Sequence, residues 1–160
     1  MTTKSKPDKP RPRAPRIRQV LMIRQWGFEA ENALAVVQEY LWQVLHIADR
    51  TNRAVAWAVR TLAAMLRAHE ETGRLELPGM APGAPPPGLL PEQARKSARD
   101  RIVVSPWPPS ASTELDYLHA WTTEHQGAHM TPNQCARWAV LTLADMMRAA
   151  YAGKEVRLPT

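Results

Sequence analysis

Four side chains that bind metals in other proteins lie in the second half of the chain: His119, His125, His129 and Cys135. Imidazole and thiolate groups are preferred zinc ligands, so their type suggests a metal centre. Their spacing, however, runs from a predicted helix into a loop and matches no standard zinc pattern. The corresponding positions of the first half hold no such ligand. We therefore expect no bound metal and no cofactor.

The sequence also lacks patterns typical of catalysis. It contains no glycine-rich loop for a phosphate, no nucleophile elbow, and no carboxylate pair with an evident cleft. The chain is therefore not expected to be an enzyme.

Basic residues are concentrated near the N-terminus. Residues 1–18 hold seven Lys and Arg against one Asp, which accounts for the whole net charge of +6. Residues 1–15 are also proline-rich and lack aromatic side chains, which predicts a disordered basic arm. Such an arm can serve solubility alone, or it can place Arg11, Arg13 and Arg16 on the phosphates of a nucleic acid.

A repeat with an offset of 81 residues organises the rest of the chain. Residues 18–78 align without a gap with residues 99–159 and share 16 identities over 61 positions. Low complexity explains matched alanines, but it does not explain two tryptophan pairs in one register. The sequence therefore predicts an internal duplication. The repeated tryptophans lie in apolar helical stripes, which indicates a core role for Trp26, Trp107, Trp57 and Trp138.

Each copy shows the same predicted order of a strand, a first helix and a second helix. The runs VLMIRQW and RIVVSPW are rich in β-branched residues and predict strands. Apolar residues at helical spacing predict first helices over Glu29–Ala48 and Ser112–Gln126. Second helices follow, with capping residues Thr51 and Thr131 at their starts and Gly73 and Gly153 near their ends. The sequences RLELP and EVRLP predict a last short strand in each copy.

The predicted fold is mainly α with short β and has four parts. The arm, 1–15, precedes a first unit at 16–78, a Pro/Gly-rich linker with a basic end at 79–96, and a second unit at 97–160. The linker from Pro91 onward predicts a short helix. A lone short strand leaves its backbone groups without partners. The two strands are therefore expected to form an antiparallel ribbon about a pseudo-twofold axis.

Alternation along the two strands separates a core face from a second face. Leu21 and Ile23 share one face of the first strand, and Ile102 and Val104 share one face of the second. The opposite face is partly apolar and carries arginine and serine at its rim: Arg18, Val20, Met22, Arg24, Arg99, Arg101, Val103 and Ser105.

A basic lead-in, a short strand and two helices that pair about a twofold axis resemble the ribbon–helix–helix DNA-binding proteins, here with two units in one chain. The resemblance covers residues 16–68 and 97–149. It implies a regulator or a plasmid- or phage-type accessory protein whose strand pair enters the major groove of double-stranded DNA. The chain departs from the family in its long first helix, in Pro106 within the second strand pattern, and in apolar Val20 and Met22 on the reading face.

The resemblance also implies which residues contact DNA. Strand arginines suit base contacts because a guanidinium can bind the acceptor pair of guanine. The base contacts then fall on Arg18, Arg24, Arg99, Arg101 and Ser105. Phosphates are expected at the N-termini of the second helices, on Thr51, Asn52, Arg53, Thr131, Asn133 and Gln134, with Arg11, Arg13 and Arg16 of the arm. Because the two strands differ, the DNA target is expected to have two related but unequal half-sites.

A second interpretation is a non-enzymatic helical adaptor or inhibitor whose apolar faces bind a protein partner. Further self-association of the fused unit also stays open. The single cysteine, Cys135, excludes an internal disulfide, and no apolar run approaches the roughly 18 residues of a membrane span. We therefore expect a cytoplasmic protein without a membrane partner.

Overall fold

In the computed structural model of the protein, the structure describes residues 19–80, 88–91, 97–127 and 129–159. The described chain is mainly helical and contains one short two-stranded antiparallel sheet, as the sequence predicts. The elements follow the predicted order strand–helix–helix twice. They are β1 (Leu21–Arg24), α1 (Gly27–Leu45), α2 (Ala54–Thr72), β2 (Arg101–Val104), α3 (Pro109–Gln126) and α4 (Pro132–Tyr151).

The buried apolar residues form one core that both halves of the chain share. Helix α1 packs mainly on α4, and α2 packs on both α3 and α4, so the helices of the two halves alternate around the core. Trp26 and Trp107 are fully buried, whereas Trp57 and Trp138 are half-buried against the core. The prediction that these four tryptophans belong to the core is thus confirmed, with the second pair at its margin.

The first helices begin earlier than the sequence predicts. Helix α1 starts at Gly27 and ends at Leu45, because His46 adopts a left-handed conformation with φ 56° that closes the helix. Its predicted extension to Ala48 is therefore wrong. Helix α3 starts at Pro109 rather than at Ser112, since proline fits the first helical turn, where no backbone donor is needed.

The second helices differ in how they start. Thr131 caps α4 in a reciprocal pair with Gln134, in which each side chain accepts a hydrogen bond from the other residue's backbone N–H. The prediction for Thr131 is confirmed. The prediction for Thr51 is wrong, because Arg53 is the residue that precedes α2 and the Thr51 hydroxyl instead donates to the Asp49 carboxylate at 2.6 Å. At the other ends, Gly73 and Gly153 both have positive φ, as predicted.

The predicted last strands are absent from the described residues. Two segments without regular structure stand in their place, residues 74–78, with a turn beginning at Pro78, and residues 155–159. Neither forms a ladder with a described strand. Leu77 is 4% exposed and anchors the first of these segments to the core. The described strands, β1 and β2, pair only with each other, so neither segment pairs with a described strand.

The linker is fixed on α1 where the structure describes it. The Gln43 amide donates to the Leu89 backbone oxygen at 2.8 Å, and the Tyr151 hydroxyl donates to the Gln43 side-chain oxygen at 2.7 Å. The helix predicted from Pro91 falls mostly on residues 92–96, which lie outside the described residues, as do the basic arm (residues 1–15) and residues 16–18. Among the described helices, none is long and apolar enough to cross a membrane.

Candidate nucleic-acid interface

The two strands pair in a register that opposes residues of the same predicted face. Leu21 lies opposite Val104 and Ile23 opposite Ile102, and all four side chains are buried. The predicted core face of the ribbon is confirmed. Since side chains alternate along a strand, the remaining positions point away from the core.

The outward ribbon face combines an apolar middle with two arginines. It is formed by Val20, Met22, Arg24, Arg101, Val103 and Ser105, all of which are exposed. Met22 and Val103 are directly opposed and 37% and 41% exposed, so apolar surface faces solvent at the centre of the ribbon. Pro106 lies beyond the end of β2 and therefore removes no donor from the ladder.

Arg24 and Arg101 form the charged end of this face. They are Cα partners across the ribbon and therefore project side by side. In the described part of the chain, neither guanidinium has an ion pair or a side-chain hydrogen bond. Two like charges directly opposite each other repel, so the pair favours an approaching anion.

An asparagine at the start of each second helix holds the edge of the ribbon. The Asn52 amide donates to the Val103 backbone oxygen at 2.9 Å, and the Asn133 amide donates to the Met22 backbone oxygen at 2.7 Å. The two donors, Asn52 and Asn133, lie 81 residues apart in the sequence, and so do the two acceptors, Met22 and Val103. These side chains therefore bind the ribbon and are not free for the phosphate contacts that the sequence predicts.

Backbone hydrogen bonds extend the ribbon beyond its four paired positions. The Trp26 N–H donates to the Asp100 oxygen and the Trp107 N–H donates to the Gln19 oxygen, each at 2.8 Å. The buried indoles thus anchor both ends of the ribbon to the core. The Arg137 guanidinium adds a hydrogen bond to the Trp26 oxygen at 3.0 Å.

Arg99 has a structural contact in place of a free guanidinium. Its Nε and Nη2 donate to the two Glu31 carboxylate oxygens at 2.6 and 3.2 Å, and its Nη1 donates to the Asn52 side-chain oxygen at 3.0 Å. The Glu31 side chain is 2% exposed, so this pair compensates a buried charge. Arg99 also lies before β2 and off the outward ribbon face. The predicted base contact at Arg99 is therefore not available in this conformation.

At the predicted phosphate-binding sites before the second helices, most polar groups already form hydrogen bonds within the chain. Before α2, the Asp49 carboxylate accepts from both the backbone and the hydroxyl of Thr51. Before α4, Thr131 and Gln134 cap each other, and Pro132 has no N–H to offer. These helix starts hold fewer open donors than the resemblance implies. The Arg53 side chain is exposed, although its Nε donates to the Thr51 hydroxyl at 3.2 Å.

Some of the predicted contact residues lie outside the described residues. They are Arg11, Arg13, Arg16 and Arg18. Sequence reasoning missed the roles of Glu31 and Arg137, which support Arg99 and Trp26. It assigned the two asparagines to phosphate, although their matched positions in the repeat could have signalled a shared structural role.

The histidine and cysteine side chains of the second half do not converge on a metal-binding cluster within the described part of the chain. His119 contacts the Met130 backbone oxygen, and His125 stacks on Trp121 with ring centroids 4.4 Å apart. Cys135 is fully buried, and burial raises the pKa of its thiol, although a contact with Thr122 acts in the opposite direction. A protonated buried thiol is a poor ligand and a poor nucleophile.

Comparisons with protein-family models, curated proteins and solved structures find no match to this chain. The functional proposals below therefore depend on the geometry of the chain itself.

Proposed function

We propose that the protein is a DNA-binding regulator or a plasmid- or phage-type accessory protein, built as a single-chain ribbon–helix–helix pseudo-dimer. In this proposal the outward face of the β1–β2 ribbon enters the major groove. The single observation that carries it is the exposed Arg24–Arg101 pair, which has no ion-pair partner among the described residues, on a ribbon whose other face is buried. The ribbon is non-enzymatic and acts by binding alone.

Matched contacts support the internal duplication and the pseudo-twofold axis. The hydrogen bond from Asn52 to Val103 becomes that from Asn133 to Met22 when the two units exchange roles. The Trp26 and Trp107 contacts with the opposite strand's lead-in exchange in the same way. A shift of 81 residues thus converts one set of contacts into the other, which a shared ancestry of the two units explains.

The dimensions of the ribbon suit a DNA groove. Its two paired strands lie about 4.8 Å apart, and the major groove is about 12 Å wide and admits a two-stranded ribbon. Arginine on such a ribbon can donate to the O6 and N7 atoms of guanine, and Val20, Met22 and Val103 can contact thymine methyl groups. The apolar middle of the face is therefore compatible with base reading.

The structure leads us to divide the predicted contact residues into two groups. Base contact remains assigned to Arg24, Arg101 and Ser105, and to Arg18 by the sequence alone. Arg99, Asn52 and Asn133 instead position the ribbon. Thr51 binds Asp49 before α2, and Thr131 and Gln134 cap α4. Phosphate contact is kept for Arg53 and for Arg11, Arg13 and Arg16 of the arm.

A salt-dependent gel shift with mixed-sequence duplex DNA tests the proposal. We expect binding at low salt that weakens as salt increases, because neutralised phosphates release counterions. Arg148→Ala is a suitable control, since Arg148 lies fifteen residues along α4 from Asn133, roughly 22 Å from the ribbon end of that helix. No shift with the complete chain at low salt would exclude DNA binding.

A protein-binding adaptor is the second candidate, favoured by exposed apolar side chains away from the ribbon. Trp42, Ile47 and Leu89 are 53%, 43% and 85% exposed. If the chain acts as an adaptor, Trp42→Ala abolishes partner binding while Arg24→Ala does not. If it acts on DNA, Arg24→Ala weakens binding in the gel shift while Trp42→Ala does not.

A further inference from the structure

The two segments that follow the second helices are alike in position and in exposure. We call residues 74–78 the first closing segment and residues 155–159 the second closing segment. In the first, Arg74 and Glu76 are exposed while Leu77 is buried, and in the second, Glu155 and Arg157 are exposed while Leu158 packs on the core. Alternate residues thus face solvent, as they do along an edge strand.

In the described part of the chain, the backbone of the closing segments is bonded only at the ends of the first segment. There the Arg74 N–H donates to the Thr72 hydroxyl, the Leu77 oxygen accepts from the Met80 N–H, and the Pro78 oxygen accepts from the Tyr40 hydroxyl. No described acceptor receives the N–H groups of Leu75, Glu76 or Leu77, nor those of Val156 or Arg157. Exposed, straight backbone with open donors and acceptors is a template for pairing with another strand.

Each closing segment also forms one wall of a shallow groove along its second helix. The groove of the first segment is lined by Thr61, Met65, Ala68 and Pro78. The groove of the second is lined by residues at the matching positions, Thr142, Met146, Ala149 and Pro159. Both units therefore offer a partly apolar groove beside the open backbone, at matching positions of the repeat.

The exposed charges occur in opposite order in the two segments. The first reads Arg74 then Glu76, and the second reads Glu155 then Arg157. Antiparallel pairing of two first segments, centred on Leu75, places Arg74 of each opposite Glu76 of the other. Antiparallel pairing of a first with a second segment places like charges opposite each other, which is unfavourable.

We propose that copies of this protein associate through antiparallel, like-with-like pairing of the closing segments. Two first segments pair with each other, and two second segments pair with each other. Such contacts are isologous, the commonest symmetry in soluble assemblies. Parallel pairing of a first with a second segment also matches the charges, but parallel ladders are less stable per residue and the contact is heterologous. The proposal does not depend on DNA binding.

Sedimentation equilibrium of the complete chain without DNA tests the pairing. Glu155→Ser and Arg157→Ser remove the charges of the second segment, so that the remaining association reports on the first. In this background we expect dimers for the chain with Arg74 and Glu76 intact. Adding Arg74→Glu or Glu76→Arg makes the segment all acidic or all basic and should weaken association by about tenfold or more, because two attractive pairs become repulsive.

Mixing the two variants provides the decisive measurement. An equimolar mixture of the acidic and basic chains should recover dimers, since the charges are again opposite across the pair. Glu124→Arg makes the same charge change on α3, outside both segments, and should leave association unchanged. A mixture that stays monomeric, or a parent chain that dissociates once the second segment carries serines, would overturn like-with-like pairing.

Discussion

Arg24 and Arg101 stand directly opposite each other on the outward face of the ribbon, and neither guanidinium has a counter-charge among the described residues. Within the free protein this arrangement is unfavourable, because like charges opposite each other across strands destabilise a ribbon. In a DNA groove the same two groups meet the negative potential and the acceptor atoms of the bases. The pair should therefore lower the stability of the free protein and strengthen its binding to DNA.

Replacing either member should move stability and binding in opposite directions. We expect Arg24→Ala and Arg101→Ala each to raise the free energy of unfolding by a few tenths of a kcal/mol, and to weaken binding to a preferred site by about 1–3 kcal/mol. Urea unfolding and gel-shift titration measure the two effects. Loss of stability in both variants would contradict the repulsion argument, and unchanged sequence preference would contradict base reading.

The asparagine contacts should matter to the ribbon in both units. Asn52→Ala and Asn133→Ala each remove a donor to a ribbon carbonyl, at 2.9 and 2.7 Å, and should cost about 1 kcal/mol of stability. Hydrogen exchange of the Ile23 and Ile102 amides should speed up as the ribbon loosens. Thr131→Ala serves as a comparison, because it removes a helix cap of similar worth without touching the ribbon.

Removing Arg99 alone should destabilise the fold more than removing the charges of both Arg99 and Glu31. Arg99→Ala removes an ion pair from the buried Glu31 carboxylate and should cost about 2–3 kcal/mol, somewhat less than a fully buried pair because the Arg99 side chain is 47% exposed. Adding Glu31→Gln to that variant should recover much of the loss. Chemical denaturation of the two variants measures the difference, and no recovery in the double variant would contradict this account.

The buried thiol predicts a loss of stability in alkaline solution. Burial raises the pKa of Cys135 above its ordinary value of 9.0, so the folded chain holds this proton more tightly than the unfolded chain. The stability that the protonated thiol contributes is therefore fully present below about pH 9. It is lost as pH rises through the higher pKa of the folded state. Cys135→Ala, which matches Ala54 in the first unit, should flatten the decline in unfolding free energy as pH rises above 9.0, the ordinary pKa of the thiol. Part of the decline should remain, because burial also raises the pKa of Tyr40.

The basic arm should strengthen DNA binding without adding selectivity. Deleting residues 2–15 removes five Lys and Arg, and we expect uniformly weaker binding to all duplexes and a flatter dependence on salt. Gel shifts at several salt concentrations with preferred and random duplexes measure both quantities. A change in preference between the two duplexes would assign the arm a reading role instead.

The sequence alone determined the elements and the faces of the ribbon. Strand alternation placed Leu21, Ile23, Ile102 and Val104 toward the core, since a two-residue period admits only one buried face. Helical periodicity predicted four helices, and the capping residue Thr131 and the glycines marked their ends. These features depend on neighbours in the chain, which is why local patterns could find them.

Only the tertiary structure decided which polar groups remain available for binding. Arg24 is the last residue of β1 and Arg99 lies two residues before β2, yet one faces solvent and the other binds Glu31 of α1. The asparagines bind the strand of the opposite unit, and residues 74–78 and 155–159 pair with neither described strand. Each outcome depends on residues far apart in sequence that packing brings together, and local sequence patterns do not predict which residues will be partners. The side-by-side arrangement of Arg24 and Arg101 is likewise a matter of register between two strands separated by the whole first unit and the linker.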